Sequence, residues 1–387
     1  MHELSSGNGA SADTDLAPYT QHAVQVQGRA SSGLGQSSKG GFVFHDNRQI
    51  EPTFDEQHAR QRKVLPSHVG GQHNHLVTLA HGYLVGVSNL ISGAPRSLGQ
   101  FDVGPIAYGM WRFDNNDISH AQSLVEAALA AGMNLIDTAD IYGFQSVDVG
   151  FGEAEEIFGR VLGQAPHLRE QMVLATKGGI TPPMPYNSSA EYLRSAVEAS
   201  LRRLQVDVID LYQVHRPDMF THPAEVAATL TALRDEGKIS EVGVSNYTPD
   251  QYDALAAHLD FPMATTQPEY SVLQLGPLRD GTFDRAMRDG VTPLAWSPLG
   301  GGRIFADGPD GMNPELTAVI DGLAEREGVD RTAIALGFVL AHPSDPVAII
   351  GTQKTERIAS STAALSITLD RNDVYAIVQA SERVPLP

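Results

Sequence analysis

The sequence predicts an α/β fold: a closed (β/α)8 TIM barrel preceded by a long N-terminal extension. Three observations point there. From about residue 94 onward, short apolar runs alternate with segments whose apolar positions recur at helical spacing. Eight such runs fall in that part of the chain, the strand count of one barrel. No Gly-x-Gly-x-x-Gly fingerprint appears there, although a doubly wound dinucleotide fold would need one after its first strand. The nearest approach, around Gly150 and Gly152, ends in Glu155.

In chain order, the first 45 residues are rich in Ser, Gly, Gln and Ala and show little periodicity. Such a stretch buries too little apolar surface to fold alone. Residues 1–93 are therefore expected to be a low-complexity, poorly ordered extension, with the barrel domain over 94–387 and the boundary near Ala94–Pro95. Eight of the fourteen histidines lie in this extension, His73 and His75 among them. No carboxylate or cysteine stands at a supporting spacing, so no metal is expected. The apolar stretch 76–91 is broken by His81, Asn89 and two glycines. A spanning helix needs ~20 mostly apolar residues, so it reads as non-membrane.

The expected strands are 103–108, 133–137, 171–176, 207–214, 240–244, 263–267, 291–296 and 346–350. Between them, Ala121, Leu124, Val125, Ala128 and Leu129 mark one face of a helix over 118–132. Leu193, Ala196, Val197, Leu201 and Leu204 do the same over 189–205. That helix is expected to open on Ser188 and Glu191 at capping-box spacing. A third helix is expected over 222–235.

Composition narrows the function. The net charge of −19 over 387 residues argues against nucleic acid and anionic membrane partners. With no cysteine, disulfides, thiolate catalysis and Cys-based metal sites are excluded. No basic start followed by an apolar run marks a signal peptide, so a cytoplasmic location is expected.

Barrels keep their chemistry where strands exit into loops at the C-terminal face. The second strand delivers Asp137 and then Tyr142, the third Lys177, the fourth His215. A phenol has a pKa near ~10, too high for an efficient acid at neutral pH. An ammonium beside it favours phenolate and is expected to make it unusually acidic. A carboxylate would hold the lysine in place, and an imidazole can hydrogen-bond a carbonyl oxygen. The set suits protonation of an oxygen that gains negative charge while hydride from a nicotinamide attacks carbon. Later exits fit a bound dinucleotide. Ser245, Asn246 and Gln267 suit a carboxamide, and Trp296 offers a face for stacking. Gly300, Gly301, Gly302 and Arg303 would let backbone approach a diphosphate. Thr352, Lys354 and Arg357 suit a further phosphate, hence NADPH over NADH.

The stretches NLIDTADIYG (134–143), ATKGG (175–179), LYQVHRPD (211–218), GVSNY (243–247), QPEYS (267–271), SPLGGGR (297–303) and GTQKTER (351–357) stand in an order and spacing that resembles the aldo-keto reductases. The resemblance covers residues 95–387 and is greatest to a bacterial branch that uses NADPH. It implies Tyr142 as general acid, Lys177 as its modulator, Asp137 as the lysine's partner and His215 as orienter of the substrate carbonyl. For NADP(H) it implies Ser245, Asn246, Gln267, Trp296, Ser297, Leu299, Gly300, Gly301, Arg303, Gly351, Thr352, Gln353, Lys354 and Arg357. Trp111 and Phe144 would line the substrate pocket. Two departures stand out: Trp296 replaces a stacking tyrosine, and Ser361 replaces an adenine-contacting asparagine. The expected function is NADPH-dependent reduction of aldehydes or ketones, with a small carbonyl substrate and no obligate protein partner. The alternatives are a nicotinamide-binding regulatory subunit with negligible turnover and, further off, a metal-dependent aldolase or isomerase.

Overall fold

In the computed structural model of the protein, the described residues are 76–78, 84–86, 88–113, 117–143, 150–306 and 308–385. The expectations for residues 1–75, and for Phe144, lie outside them. Eight parallel strands close into a barrel: β1 (Ile106–Gly109), β2 (Leu135–Asp137), β3 (Val173–Gly178), β4 (Ile209–Val214), β5 (Ile239–Ser245), β6 (Thr265–Gln267), β7 (Thr292–Ala295) and β8 (Val347–Ile350). Each pairs with its chain neighbours, and β8 pairs with β1, Ile350 opposite Tyr108, to shut the ring. All eight fall within or across the expected runs.

Side chains along these strands alternate between two cores. Ala107, Leu135, Val173, Ala175, Leu211, Leu294 and Val347 pack together inside the barrel. Tyr108, Ile136, Leu174, Tyr212, Ala295 and Ala348 belong to the larger core between strands and helices. This period of two fixes what comes next on each strand. Asp137 continues the inward series of Leu135, Lys177 that of Val173 and Ala175, and Gln213 that of Leu211.

The first strand starts later than the run 103–108 suggested. Phe101–Val103 pairs antiparallel with Arg96–Leu98 instead. Leu98 and Val103 of this hairpin join the inner core. Its backbone reaches the N-terminal ends of three strands: Gln100 N–H donates to Glu241, Gly104 N–H to Asn134, and Ser97 carbonyl accepts from Thr292. The hairpin therefore lies across the floor of the barrel. Just before it, Leu90 N–H donates to Leu369 carbonyl, and Ile91 is buried in the outer core.

The helices that place the site are α1 (Ile118–Ala130), α2 (Glu153–Gln164), α3 (Ala190–Leu204) and α4 (Pro223–Asp235). The cap of α3 is not the expected one. Ser189, not Ser188, accepts from Tyr192 N–H. Ser188 is buried, and its own N–H is held by Asp218, so it cannot turn to the helix. With Ser189 as cap, the third helical position is Tyr192, and no capping box forms.

Candidate active site

Beyond β2 the chain keeps pairing with β3. Thr138 N–H donates to Ala175 carbonyl and Asp140 N–H to Lys177 carbonyl, both at 2.9 Å. Tyr142 N–H then folds back onto Ala139 carbonyl, and Gly143 follows with φ of 101°. Only glycine takes that conformation cheaply. The turn returns the Tyr142 ring over the end of β3.

There Lys177 Nζ, fully buried, donates to Asp137 Oδ2 at 2.6 Å, Thr138 carbonyl at 2.7 Å and Tyr142 Oη at 3.3 Å. All three ammonium protons are used. Asp137 Oδ1 accepts from Gln267 Nε2 at 3.2 Å and Gln213 Nε2 at 3.3 Å. Burial alone would discharge the lysine, but Asp137 and Tyr142 outweigh it and hold its pKa above the ordinary range. The ammonium is thus a fixed positive charge.

The phenol does not behave as the sequence suggested. Burial pushes Tyr142 up, Lys177 pulls it down, Asp137 pushes it up again, and the net result is above its ordinary value. The lysine's field is largely spent on Asp137, while a phenolate here would lose its water. What the geometry fixes is direction. With Nζ donating to Oη, the Tyr142 hydroxyl hydrogen is free to point elsewhere.

Trp111 and His215 flank the Tyr142 ring edge-on, with centroids 5.6 and 5.8 Å away. Trp111 is 47% exposed and forms the outer wall. His215 is buried, and its Nδ1 has no hydrogen-bond partner. Burial, with Lys177 and Arg216 nearby, drives its pKa well below the ordinary imidazole value. The ring is neutral at physiological pH.

The carboxamide candidates form a hydrogen-bonded chain with these groups. Trp296 Nε1 donates to Asn246 Oδ1 at 3.0 Å, and Asn246 Nδ2 to Ser245 Oγ at 2.8 Å. Ser245 Oγ donates to Gln267 carbonyl at 3.1 Å, and the Gln267 side chain reaches Asp137. Trp296 is half-buried, and the Arg216 guanidinium lies 5.9 Å from its ring.

The phosphate candidates stand on the next two exits. After Ser297, Gly300, Gly301 and Gly302 take consecutive positive φ of 59°, 69° and 99°. No ordinary residue run would hold that path. Gly300 N–H returns to Ser297 carbonyl, Gly302 N–H to Leu299 carbonyl, and Arg303 Nε donates to Gly300 carbonyl. After β8, Gly351 carbonyl accepts from Arg112, and Tyr108 hydroxyl donates to Thr352 carbonyl and accepts from Gln353. Lys354 and Arg357 are exposed, at and within a short helix, Thr355–Ser360. Ser361 Oγ is turned inward to Arg357 carbonyl. Among the described residues, no cluster of His, Asp and Glu is arranged to hold a metal ion.

Residues 105–382 match the sequence profile of the Aldo/keto reductase family. The chain belongs to this family. It is 49% identical over 287 residues to a 6-dehydroglucose reductase of Novosphingobium aromaticivorans, covering 74% of this chain and 94% of that one. A 6-dehydroglucose reductase of Agrobacterium fabrum is 36% identical, covering 72% and 94%. Among solved structures, an aldo/keto reductase from Klebsiella pneumoniae in complex with NADP and acetate superposes with a TM-score of 0.63 at 27% identity, covering 77% and 97%. As an aldo/keto reductase the chain is an oxidoreductase acting on carbonyl groups. No described helix is long and apolar enough to cross a membrane.

Three neighbours of this aldo/keto reductase's site escaped the sequence reading. Gln213 was discoverable, since it sits two residues beyond inward Leu211. Arg216 was hidden inside the HRPD stretch as the neighbour of a more obvious histidine. Asp140 stands inside the TADIYG turn, where nothing local marks it as buried.

Proposed function

We propose that this protein is an NADPH-dependent reductase of aldehydes or ketones in which Tyr142 is the general acid. The observation that carries this reading is the buried Lys177 ammonium donating at once to Asp137 and to Tyr142 Oη. That arrangement leaves the phenol hydrogen free to hydrogen-bond a carbonyl oxygen placed between Tyr142, His215 and Trp111. The neutral imidazole of His215 can donate one N–H to the same oxygen and set its direction. As the oxygen gains charge, Tyr142 releases its proton, and Lys177 steadies the phenolate left behind.

The cofactor residues fit a nicotinamide dinucleotide. Ser245, Asn246 and Gln267 still have donors and acceptors beyond their mutual bonds, including Gln267 Oε1, for a carboxamide. Gly300, Gly301 and Arg303, with Ser297 and Leu299 before them, would hold the diphosphate. Gly351, Thr352, Gln353, Lys354 and Arg357 would take the remaining phosphate, and two cations there favour NADPH. When bound, that cofactor supplies the hydride for the carbonyl carbon.

For substrate we propose a small hydroxylated aldehyde. Two relatives are named for 6-dehydroglucose, and the polar Arg216 guanidinium lies beside the Trp296 ring. The test is NADPH oxidation with 6-dehydroglucose and a panel of reactive aldehydes. Tyr142→Phe should lower kcat by about 10²–10⁴-fold, the usual reach of general acid catalysis. Full activity in that variant would remove Tyr142 from the role. The alternative of a binding subunit without turnover has no observation in its favour.

A further inference from the structure

Behind the Tyr142 turn lies a second buried polar cluster, away from the carbonyl pocket. Asp140, two residues before Tyr142, is fully buried. Its carboxyl accepts from the Tyr192 hydroxyl at 2.9 Å, and the Ile141 N–H faces it. Tyr192 comes from α3, an element separate from both strands that carry Tyr142 and Lys177. The N–H of Gly179, two residues after Lys177, faces the same tyrosine oxygen. The Tyr192 hydroxyl is therefore bonded to the β2 turn just before Tyr142 and lies beside the β3 exit just after Lys177.

The surroundings make this contact rigid. A Cβ on Gly178 would stand 3.1 Å from Asp140 Oδ2 and 2.2 Å from the Tyr212 hydroxyl, so the three are packed without slack. Glu155, buried beside them, is held by Thr176 Oγ1 at 2.5 Å and Arg203 Nε at 2.8 Å. Burial, and then the Glu155 charge, push the Asp140 carboxyl up to about 8, against the pull of Tyr192, Arg203 and the Ile141 N–H. A carboxyl that keeps its proton at neutral pH serves here as a neutral acceptor.

We propose that Tyr192 and Asp140 form a clamp that fixes the separation of Tyr142 from Lys177, acting as positioning residues for the general acid. This rests on the reading of Tyr142 as that acid. The side chains of Asp140 and Tyr192 bond to each other and not to those of Tyr142, Lys177 or His215. Their work is to hold two backbone segments so that the 3.3 Å contact between Nζ and Oη persists. The groups facing Tyr142 are Lys177, Asp137, His215 and Arg216; those facing Asp140 are Glu155, Arg203, Tyr192 and Tyr212.

The experiment compares the full chain with Tyr192→Phe, Asp140→Ala and Asp140→Asn. Read out are kcat and KM for the best aldehyde of the panel, NADPH affinity, and the alkaline titration of Tyr142. The last is the ultraviolet difference between each protein and the same protein carrying Tyr142→Phe, and it needs no turnover. Misplacing a reacting group by about 1 Å can cost about 10²-fold, so Tyr192→Phe and Asp140→Ala should each lower kcat about tenfold or more. KM and NADPH affinity should stay near the parent values, and the Tyr142 titration should move upward as the lysine loosens. Asp140→Asn, neutral and of the same shape, should restore most of what Asp140→Ala loses. Parent-like kcat and titration in both Tyr192→Phe and Asp140→Ala would overturn the clamp. So would equal losses in kcat, KM and affinity with the titration unmoved. Should Tyr142→Phe itself prove active, the acid assignment fails, while the titration still decides whether Tyr192 and Asp140 set the Tyr142–Lys177 contact.

Discussion

Replacing Lys177 by methionine keeps most of the side-chain volume and removes the positive charge on which the site is built. The structure lets the cost be worked out. Nζ is wholly buried and 2.6 Å from Asp137 Oδ2. Without it, Asp137 keeps only the amide donors of Gln213 and Gln267. Breaking a buried pair by removing one partner costs about 3–5 kcal/mol, because the remaining charge stays buried and uncompensated. The sign with pH follows from the raised lysine pKa. The lysine's contribution is fully present below the ordinary lysine range and is lost as pH rises through the elevated folded value. Urea unfolding at neutral pH therefore reads its full worth. Adding Asp137→Asn removes the orphaned carboxylate charge outright and should recover most of the stability while leaving kcat low, since the phenol still lacks its ammonium. Neutral-pH stability of Lys177→Met equal to the parent, or activity regained in the double variant, would refute the reasoning.

Three further outcomes are expected. Because His215 is held neutral by burial, the pH profile of kcat should show no step in the ordinary imidazole range; a limb there that vanished in His215→Gln would show that the ring titrates. Charge-assisted contacts are worth about 1.5–3 kcal/mol each, so Arg357→Ala or Lys354→Ala should raise KM for NADPH about tenfold while barely changing KM for NADH. Equal effects on both cofactors would move the extra phosphate elsewhere. Ser189→Ala should cost about 1 kcal/mol in thermal or urea unfolding through loss of the α3 cap, whereas Ser188→Ala, whose hydroxyl has no partner, should cost little.

Much of the fold could be read in the sequence because strand and helix periods are local. Apolar runs such as that ending at Asp137 place strands whatever surrounds them. The buried pair of Asp137 and Lys177 was legible for a related reason: both stand where an apolar run stops, and a charge there is conspicuous. The start of β1 was not, since Val103 is apolar whether it belongs to a barrel strand or to the hairpin beneath. The α3 cap turned on Asp218, thirty positions away, taking the Ser188 N–H. The net shift of Tyr142 depends on how burial compares with a lysine already paired, which neighbour chemistry alone does not reveal. Asp140 and Tyr192, 52 positions apart, meet only once the barrel is closed.

The hairpin of Arg96–Leu98 and Phe101–Val103 has one more implication. With Leu98 and Val103 wedged among Ala107, Leu135 and Leu211, the cylinder is a cul-de-sac. Among the described residues, the end of the ring away from Asp137 and Lys177 is thus filled by apolar side chains, and the hairpin acts as a stopper beneath the charged pair.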